Sequence, residues 1–266
     1  MGTNGREKPS RGIGSVETGG AILKALSDHG TAVKLSELAL LTGLSAGRLH
    51  PYLVSLRNTG LVEQTAEGSY QLGPFALEIG LVRLRHLNPV REAIPRIAAL
   101  SQSLGLTVSV AVFAPQGPTI VYIQEHTDIL HFNIRVGGVY YMTMTATGIL
   151  FSALLPPSMT SELIEAEFAS REVGGRRDWF RVDRETFARE TAEARARGYA
   201  VTRDMPVPGI TAVSAPVHDY TGRVQLCIAA IGPGPLVDAG PDGRVVQTLL
   251  AFTDRLSGDL GHSGEA

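Results

Sequence analysis

Three residues, Thr42-Gly43-Leu44, stand between two short stretches whose apolar residues repeat at helical spacing, and this arrangement restricts the fold more than any other feature. Upstream, Leu35-Ser-Glu-Leu-Ala-Leu-Leu41 is amphipathic. Downstream, Ser45 can cap a helix running to about Thr59 with Leu49, Leu53 and Leu56 on one face. Two helices this short are marginal alone and gain stability only by packing, and a glycine turn between them is the helix-turn-helix signature. Ahead of them, Val16, Ile22, Leu23 and Leu26 recur at helical spacing after a cap at Ser15, ending near Gly30, although Gly19 and Gly20 each weaken that helix by about 1 kcal/mol relative to Ala. After Gly60, residues 61–64 and 69–72 flank Thr65-Ala-Glu-Gly68, which reads as a two-stranded wing. A winged helix is therefore expected over 15–73, preceded by a disordered arm over 1–14 that lacks periodicity.

Phe75, Leu77, Leu81, Leu84 and Leu87 continue a periodic pattern that stops before Pro89, which predicts a linker helix over 74–88. A second domain is expected over 89–262. It opens with a helix at 90–104, then strands at 107–114, 119–125 and 130–135 with a turn at Gln116-Gly-Pro118. Helices follow at 146–155, 160–170 and 183–197, then strands at 199–203, 210–218 and 223–231, and a final helix at 245–260. Strands and helices segregate into groups, so the class is α+β with a mostly antiparallel sheet.

Composition narrows the function classes. At 266 residues and 44% apolar content the chain can build two cores. No run approaches the roughly 18 apolar residues of a membrane span, and Met1 to Ser15 is not signal-like, so a cytoplasmic location is expected. One cysteine, Cys227, precludes an internal disulfide, and no Cys or His spacing suits zinc, so neither metal nor cofactor is expected. Residues 1–88 hold 9 Lys/Arg against 7 Asp/Glu, and residues 89–266 hold 15 against 19. With a bias this small, phosphate contacts must come from a few well-placed cations.

Ser36-Glu-Leu-Ala, Gly43-Leu-Ser45, Gly60-Leu-Val-Glu and Tyr70-Gln-Leu-Gly-Pro74 resemble the DNA-binding half of the IclR family. Val121-Tyr-Ile, Arg135-Val-Gly137, Thr145-Ala-Thr-Gly148, Arg197-Gly-Tyr-Ala-Val201, Gly209-Ile210 and Val213-Ser-Ala-Pro216 resemble its effector half, in order and spacing. The resemblance spans 15–260 and implies a bacterial transcription factor: a winged helix binding double-stranded DNA and a GAF-like α+β domain sensing a small molecule, assembled as a homodimer or homotetramer. Helix 1 and the linker helix are the expected dimer surface. The chain departs from the family in its recognition helix, which carries Gly47-Arg48 and Pro51. Pro51 lacks the N–H owed to Gly47, which predicts a kink or a late helix start.

On that helix, Ser45, Ala46, Arg48, Pro51, Tyr52 and Ser55 lie off the leucine face. Arg48, whose fork matches the acceptor pair of guanine, is the leading base reader. His50 and Tyr52 are candidates for phosphate or base, and against His50 stands ordinary packing or solvent exposure. Arg57 is a candidate DNA contact, but toward a helix C-terminus a cation complementing the dipole is the commoner explanation. Ser36, as a cap, can offer a phosphate its hydroxyl and its helix N-terminus.

The resemblance places the effector pocket beside the sheet, lined by 137–148, the loop before Ile210 and the strand 227–231. Where relatives that bind very small carboxylates carry a cysteine and two serines, this chain matches Ala212, Ala229 and Ile231. Apolar walls reward a larger ring and cannot compensate a small desolvated anion. The expected effector is an aromatic or otherwise hydrophobic carboxylate, its ring among Tyr140, Met142, Met144, Ile210 and Ile231, near Cys227. Its carboxylate is expected on Thr145, Thr147, Arg135, His131 or nearby N–H groups. Core packing is the competing account of Met142, Met144 and Ile231.

Two other classes compete. A sensing module without sequence-specific DNA binding is suggested by the proline-bearing helix. A hydrolase would draw on Ser214 or Cys227 with His126, His131 or His218, but the chain lacks a Gly-x-Ser-x-Gly elbow, a phosphate loop and a His-Glu-x-x-His helix. Gly232-Pro-Gly-Pro235 reads as a strand exit. The chain is therefore read as a non-enzyme.

Overall fold

The computed structural model describes residues 12–126, 134–172 and 182–264. The chain divides into two compact units between Leu87 and Asn88. The expected arm over 1–14 lies largely outside the described residues, and helix α1 (Gly14–His29) begins at its end.

In the first unit, α1 is followed by α2 (Leu35–Thr42), α3 (Ala46–Asn58), strands β1 (Val62–Gln64) and β2 (Tyr70–Leu72), and α4 (Pro74–His86). Ile22, Leu26, Val33, Leu38, Leu49, Leu53, Val62 and Tyr70 form one buried cluster that every element from α1 to β2 enters. Val33 also exchanges backbone hydrogen bonds with Tyr70 at 2.8 and 2.7 Å, which stitches the α1–α2 connection to the wing. The turn between α2 and α3 depends on Gly43 at φ +67, a left-handed conformation that favours glycine.

Several local expectations are corrected. Ile13, not Ser15, occupies the α1 N-cap position, and Lys34, not Ser36, that of α2, so Ser36 lies within the first turn. Ser45 does hold the α3 N-cap position, but its side chain makes no capping bond. The delayed start expected from Pro51 does not occur: α3 begins at Ala46 and runs through Pro51 to Asn58. The reason is packing. Leu49 and Leu53 flank the proline in sequence and are wholly buried, while the carbonyl deprived of its donor belongs to exposed Gly47. Helix α4 buries no residue, and its Phe75, Leu77, Ile79, Leu81, Val82 and Leu84 are all exposed.

The second unit comprises α5 (Pro89–Leu104), β3 (Thr107–Ala114), β4 (Gly117–Gln124), α6 (Ala146–Leu154), α7 (Pro157–Glu172), α8 (Arg184–Arg197), β5 (Ala200–Arg203), β6 (Ile210–His218), β7 (Val224–Pro233) and α9 (Arg244–Asp259). The strands form one antiparallel sheet in the order β4-β3-β7-β6-β5. Of the strand expected at 130–135, residues 130–133 lie outside the described residues, and Ile134 and Arg135 are not in a strand. Pairing to the β4 edge comes later, where Gly137 N and Tyr140 N donate to Ile120 O and Pro118 O at 2.8 Å each.

Register sorts the sheet into two faces. Opposite Cys227, Ala229 and Ile231 of β7 stand Ala111, Ser109 and Thr107 of β3 on one side and Pro216, Ser214 and Ala212 of β6 on the other. Side chains directly opposite share a face. Helix α6 covers part of this face, with Ala111, Ala200 and Cys227 joining Ile149, Leu150, Phe151 and α8's Phe187 and Ala194 in one cluster. The alternate residues Leu226, Ile228 and Ala230 are equally buried, and α5 and α9 contact the sheet and one another. Among the described residues no helix is long and apolar enough to cross a membrane.

If packing alone holds α3 through its proline, Pro51→Ala restores a hydrogen-bond donor and relieves ring crowding. It should stabilise the first unit by about 1–2 kcal/mol, net of the unfolded-state stiffness that proline supplies. Calorimetry of the full chain reads this as a higher midpoint for the first transition, and an unchanged or lower midpoint would contradict the account.

Candidate functional site

The first half of α3 presents Ser45, Ala46, Arg48 and His50 on the surface, with Ser36 exposed on α2. Tyr52 departs from expectation, for it is half-buried and packs against the unit's core beside Leu56. Arg57, exposed in the last turn of α3, donates from Nη1 to Gln64 Oε1 at 2.9 Å, which links the helix to the wing.

In the second unit the structure gathers some predicted effector residues and separates others. Ile210, Ala229 and Ile231 form a small buried cluster against which Ala212 and Ile134 pack. Tyr140 and Met144 instead join the α6 cluster with Cys227, and Ala212 touches both groups. Met142 and Cys227 are wholly buried. His131 lies outside the described residues, and Arg135 is exposed on a turn closed by Gly138 N donating to its carbonyl at 2.9 Å.

Hydroxyl groups surround this apolar floor. Tyr140 Oη and Ser109 Oγ share a hydrogen bond at 3.0 Å, and Thr147 Oγ1 and Ser214 Oγ share one at 3.2 Å. Burial pushes the Tyr140 phenol up to about 12, against the opposing pull of the Ser109 hydrogen bond, so it stays a neutral donor. Thr145 is committed elsewhere: its single proton goes to Tyr141 O at 2.7 Å while its oxygen accepts from Gly148 N at 3.0 Å. It caps α6, which corrects its assignment as a free carboxylate donor.

Sequence reasoning names none of four residues for this site, and weighs Ser214 only as a nucleophile. Ser109 and Ser214 enter because register places them on the face of Ala229, and Thr202 because it pairs with Ala212. The Thr202 hydroxyl is buried and has no hydrogen-bond partner among the described residues. An unmet buried hydroxyl costs about 1–3 kcal/mol, which a polar ligand group can recover. Glu167 of α7 is the fourth: its carboxylate accepts from Met142 N at 2.5 Å, Thr143 N at 3.0 Å and Thr143 Oγ1 at 2.9 Å, pinning the segment that leads into α6. Strand alternation in 107–114 and 210–218 could have grouped residues by face, but only pairing reveals which faces coincide. Glu167 leaves no local signal.

Catalytic equipment is sparse here. Burial pushes the Cys227 thiol well above its ordinary range, which suppresses the nucleophilic thiolate. Among the described residues no cluster of three or more His, Cys, Asp or Glu could hold a metal ion.

A helix-turn-helix with a wing, followed by an α+β unit built on one antiparallel sheet, is the arrangement of one-chain regulators that bind DNA and sense a ligand. Two family models match: the "IclR helix-turn-helix domain" over residues 15–66 and the "Bacterial transcriptional regulator IclR C-terminal" over 82–257. The chain belongs to the IclR family of transcriptional regulators. It is 31% identical over 258 residues to a glycerol operon regulatory protein of Streptomyces griseus, covering 95% of this chain and 98% of that one. The crystal structure of Pseudomonas aeruginosa HmgR superposes with a TM-score of 0.84 at 32% identity, covering 95% of this chain and all of that one. An IclR homolog from Microbacterium hydrocarbonoxydans, crystallised with 4-hydroxybenzoate, shares the fold at a TM-score of 0.56 and 19% identity, covering 94% of this chain and 100% of its own.

Gly148 marks how tightly the pinned segment meets α6, since a Cβ there would stand 2.1 Å from Tyr141 O and 2.7 Å from Met142 Cα. Gly148→Ala should therefore destabilise the second unit by about 2–4 kcal/mol, the reverse of the usual gain from such a change in an open helix. Urea unfolding of the pure protein measures this, and a neutral or stabilising result would show that the contact yields easily.

Proposed function

We propose that this regulator responds to an aromatic or otherwise hydrophobic carboxylate, bound over Ile210, Ala212, Ala229 and Ile231. The observation that carries the reading is that this floor is apolar throughout while its polar neighbours, the Ser109–Tyr140 and Thr147–Ser214 pairs and the unmet Thr202 hydroxyl, are neutral. Such a site favours a ring bearing a hydroxyl or carboxyl group over a very small anion, whose desolvation it cannot offset. The ligand seen with the Microbacterium hydrocarbonoxydans protein, 4-hydroxybenzoate, is of this class. The carboxylate is assigned to Arg135 or to backbone N–H groups of the adjoining turn. Met142 and Met144 serve as buried walls.

On the DNA side, Arg48 reads bases from the major groove, with Ser45, Ala46 and His50 beside it, and Ser36 and Arg57 contact phosphates. Their exposure supports this assignment. Half-buried Tyr52 supports the helix rather than reading a base. The protein acts as a homodimer or homotetramer, because one winged helix offers too little contact for a specific operator. The bare apolar surface of α4, with Ile13 and Val16 at the start of α1, is the proposed contact between copies. It works by binding rather than turnover, in the cytoplasm. Effector and DNA are coupled through the difference in effector affinity between two arrangements of the chain.

Two measurements test the reading. Mobility shift on DNA upstream of its own gene should give a discrete complex that specific but not unrelated DNA competes away; indiscriminate competition would favour a sensing module without operator specificity. Calorimetric titration should rank 4-hydroxybenzoate and benzoate above pyruvate and glycerol. Thr202→Val should lower the advantage of the hydroxylated ligand by about 5–10-fold while leaving the fold intact. Tighter binding of pyruvate or glycerol would sink the aromatic assignment.

A further inference from the structure

Wing and recognition helix are joined by one side chain. Gln64, the last residue of β1, accepts from Arg57 Nη1 at 2.9 Å and donates from Nε2 to Gly68 O at 3.0 Å. A single carboxamide thus connects the last turn of α3 to the tip of the hairpin. That tip is a compact turn in which Thr65 N donates to Ser69 O at 2.8 Å and Gly68 N to Thr65 O at 3.0 Å. With only three residues in each strand, the hairpin relies on these tip bonds and on Gln64 rather than on a long ladder.

The charges around this bridge give it meaning. Between residues 57 and 73 the sequence contains Glu63 and Glu67 but no cation other than Arg57. Glu63 is engaged across the ribbon by Gln71 Nε2 at 2.6 Å. Adjacent strand residues point to opposite faces, so Glu63 lies away from the Arg57–Gln64 side. Glu67 at the tip is engaged by hydrogen bonds from its own backbone and from Thr65, which hold its carboxyl below the usual carboxylate range. Among the described residues the hydrogen-bond partner of Arg57 is therefore a neutral amide, which orients the guanidinium through one N–H without cancelling its charge. A carboxylate in that position would hold the arginine as firmly but neutralise it.

We propose that Gln64 is a positioning residue for DNA binding: it presents the exposed Arg57 cation to a backbone phosphate at the junction of recognition helix and wing, and keeps the wing tip in register with it. This rests on the reading that Arg57 contacts phosphate. Holding a long side chain in place beforehand removes part of the rotamer cost of the contact, and a neutral holder preserves the counterion release that drives it.

The test is a salt series of binding constants, by fluorescence anisotropy, for the full-length protein and a mixed-sequence DNA duplex, in which phosphate contacts dominate. Arg57→Ala should reduce the slope of log K against log salt by about 0.9. Gln64→Glu, nearly isosteric, should reduce the slope by a similar amount and weaken binding about 3–10-fold. Gln64→Ala should weaken binding about 2–3-fold with the slope retained, because the charge survives but its orientation does not. Adding Gln64→Glu to Arg57→Ala should cost no further slope, because the new carboxylate then has no cation to neutralise. A wild-type slope in Gln64→Glu, or the same loss of slope from Gln64→Glu with Arg57 absent as with it present, overturns the positioning role while the Arg57 contact stands. An unchanged slope in Arg57→Ala removes the contact itself, and with it this inference.

Discussion

Burial of β7 on both faces is the constraint from which the second unit follows. Leu226 to Gly232 are all buried, so neither face of the central strand can be left to water. Helices must cover both sides: α6 and α8 supply one cover, α5 and α9 the other contact with the sheet. The first cover divides into two groups of side chains. Cys227 and Ala111 lie with α6, whereas Ile210, Ala229 and Ile231 pack with Ile134 and Ala212 in a separate small cluster.

Rigidity is distributed around that floor unequally. The segment leading into α6 is held by three hydrogen bonds to Glu167, by the Thr145 cap and by the absence of a side chain at Gly148. The opposite rim is an exposed turn at Arg135 to Gly138. Both sides are tied by backbone bonds, the turn through Gly137 N and Tyr140 N donating to β4 carbonyls, but only the α6 side adds a helix cap and a carboxylate clamp. In the first unit the division is similar. Leu49 and Leu53 anchor the recognition helix firmly enough to carry a proline, while the wing tip is held by two turn bonds and by Gln64.

Much of the architecture was readable because periodicity reports burial. The helix-turn-helix, the wing, the α4 stretch and nearly every strand and helix of the second unit follow from apolar spacing and from Gly and Pro punctuation. Errors fell where tertiary forces outweigh local ones. Pro51 should delay a helix on propensity alone, yet packing of its neighbours prevails. Ser15 and Ser36 satisfied the capping preference but stand inside their helices. Sequence reading sets Tyr52 off the leucine face, yet it stands three residues after Leu49 and four before Leu56, at the edge of that face, and its ring joins the core.

The chain's linear order was sufficient for its class: alternation and helical spacing encode which residues leave water, and this choice is made locally, residue by residue. Which chemically competent groups end up facing one another was not encoded locally. Ser109 comes from a strand far along the chain from the consecutive strands of Thr202 and Ser214, and Glu167 from a helix between them, and only strand register and helix packing bring them together. A shift of one residue in any pairing would turn those hydroxyls to the other face with no change in hydrophobic pattern large enough to foresee it, because both faces of this sheet are buried.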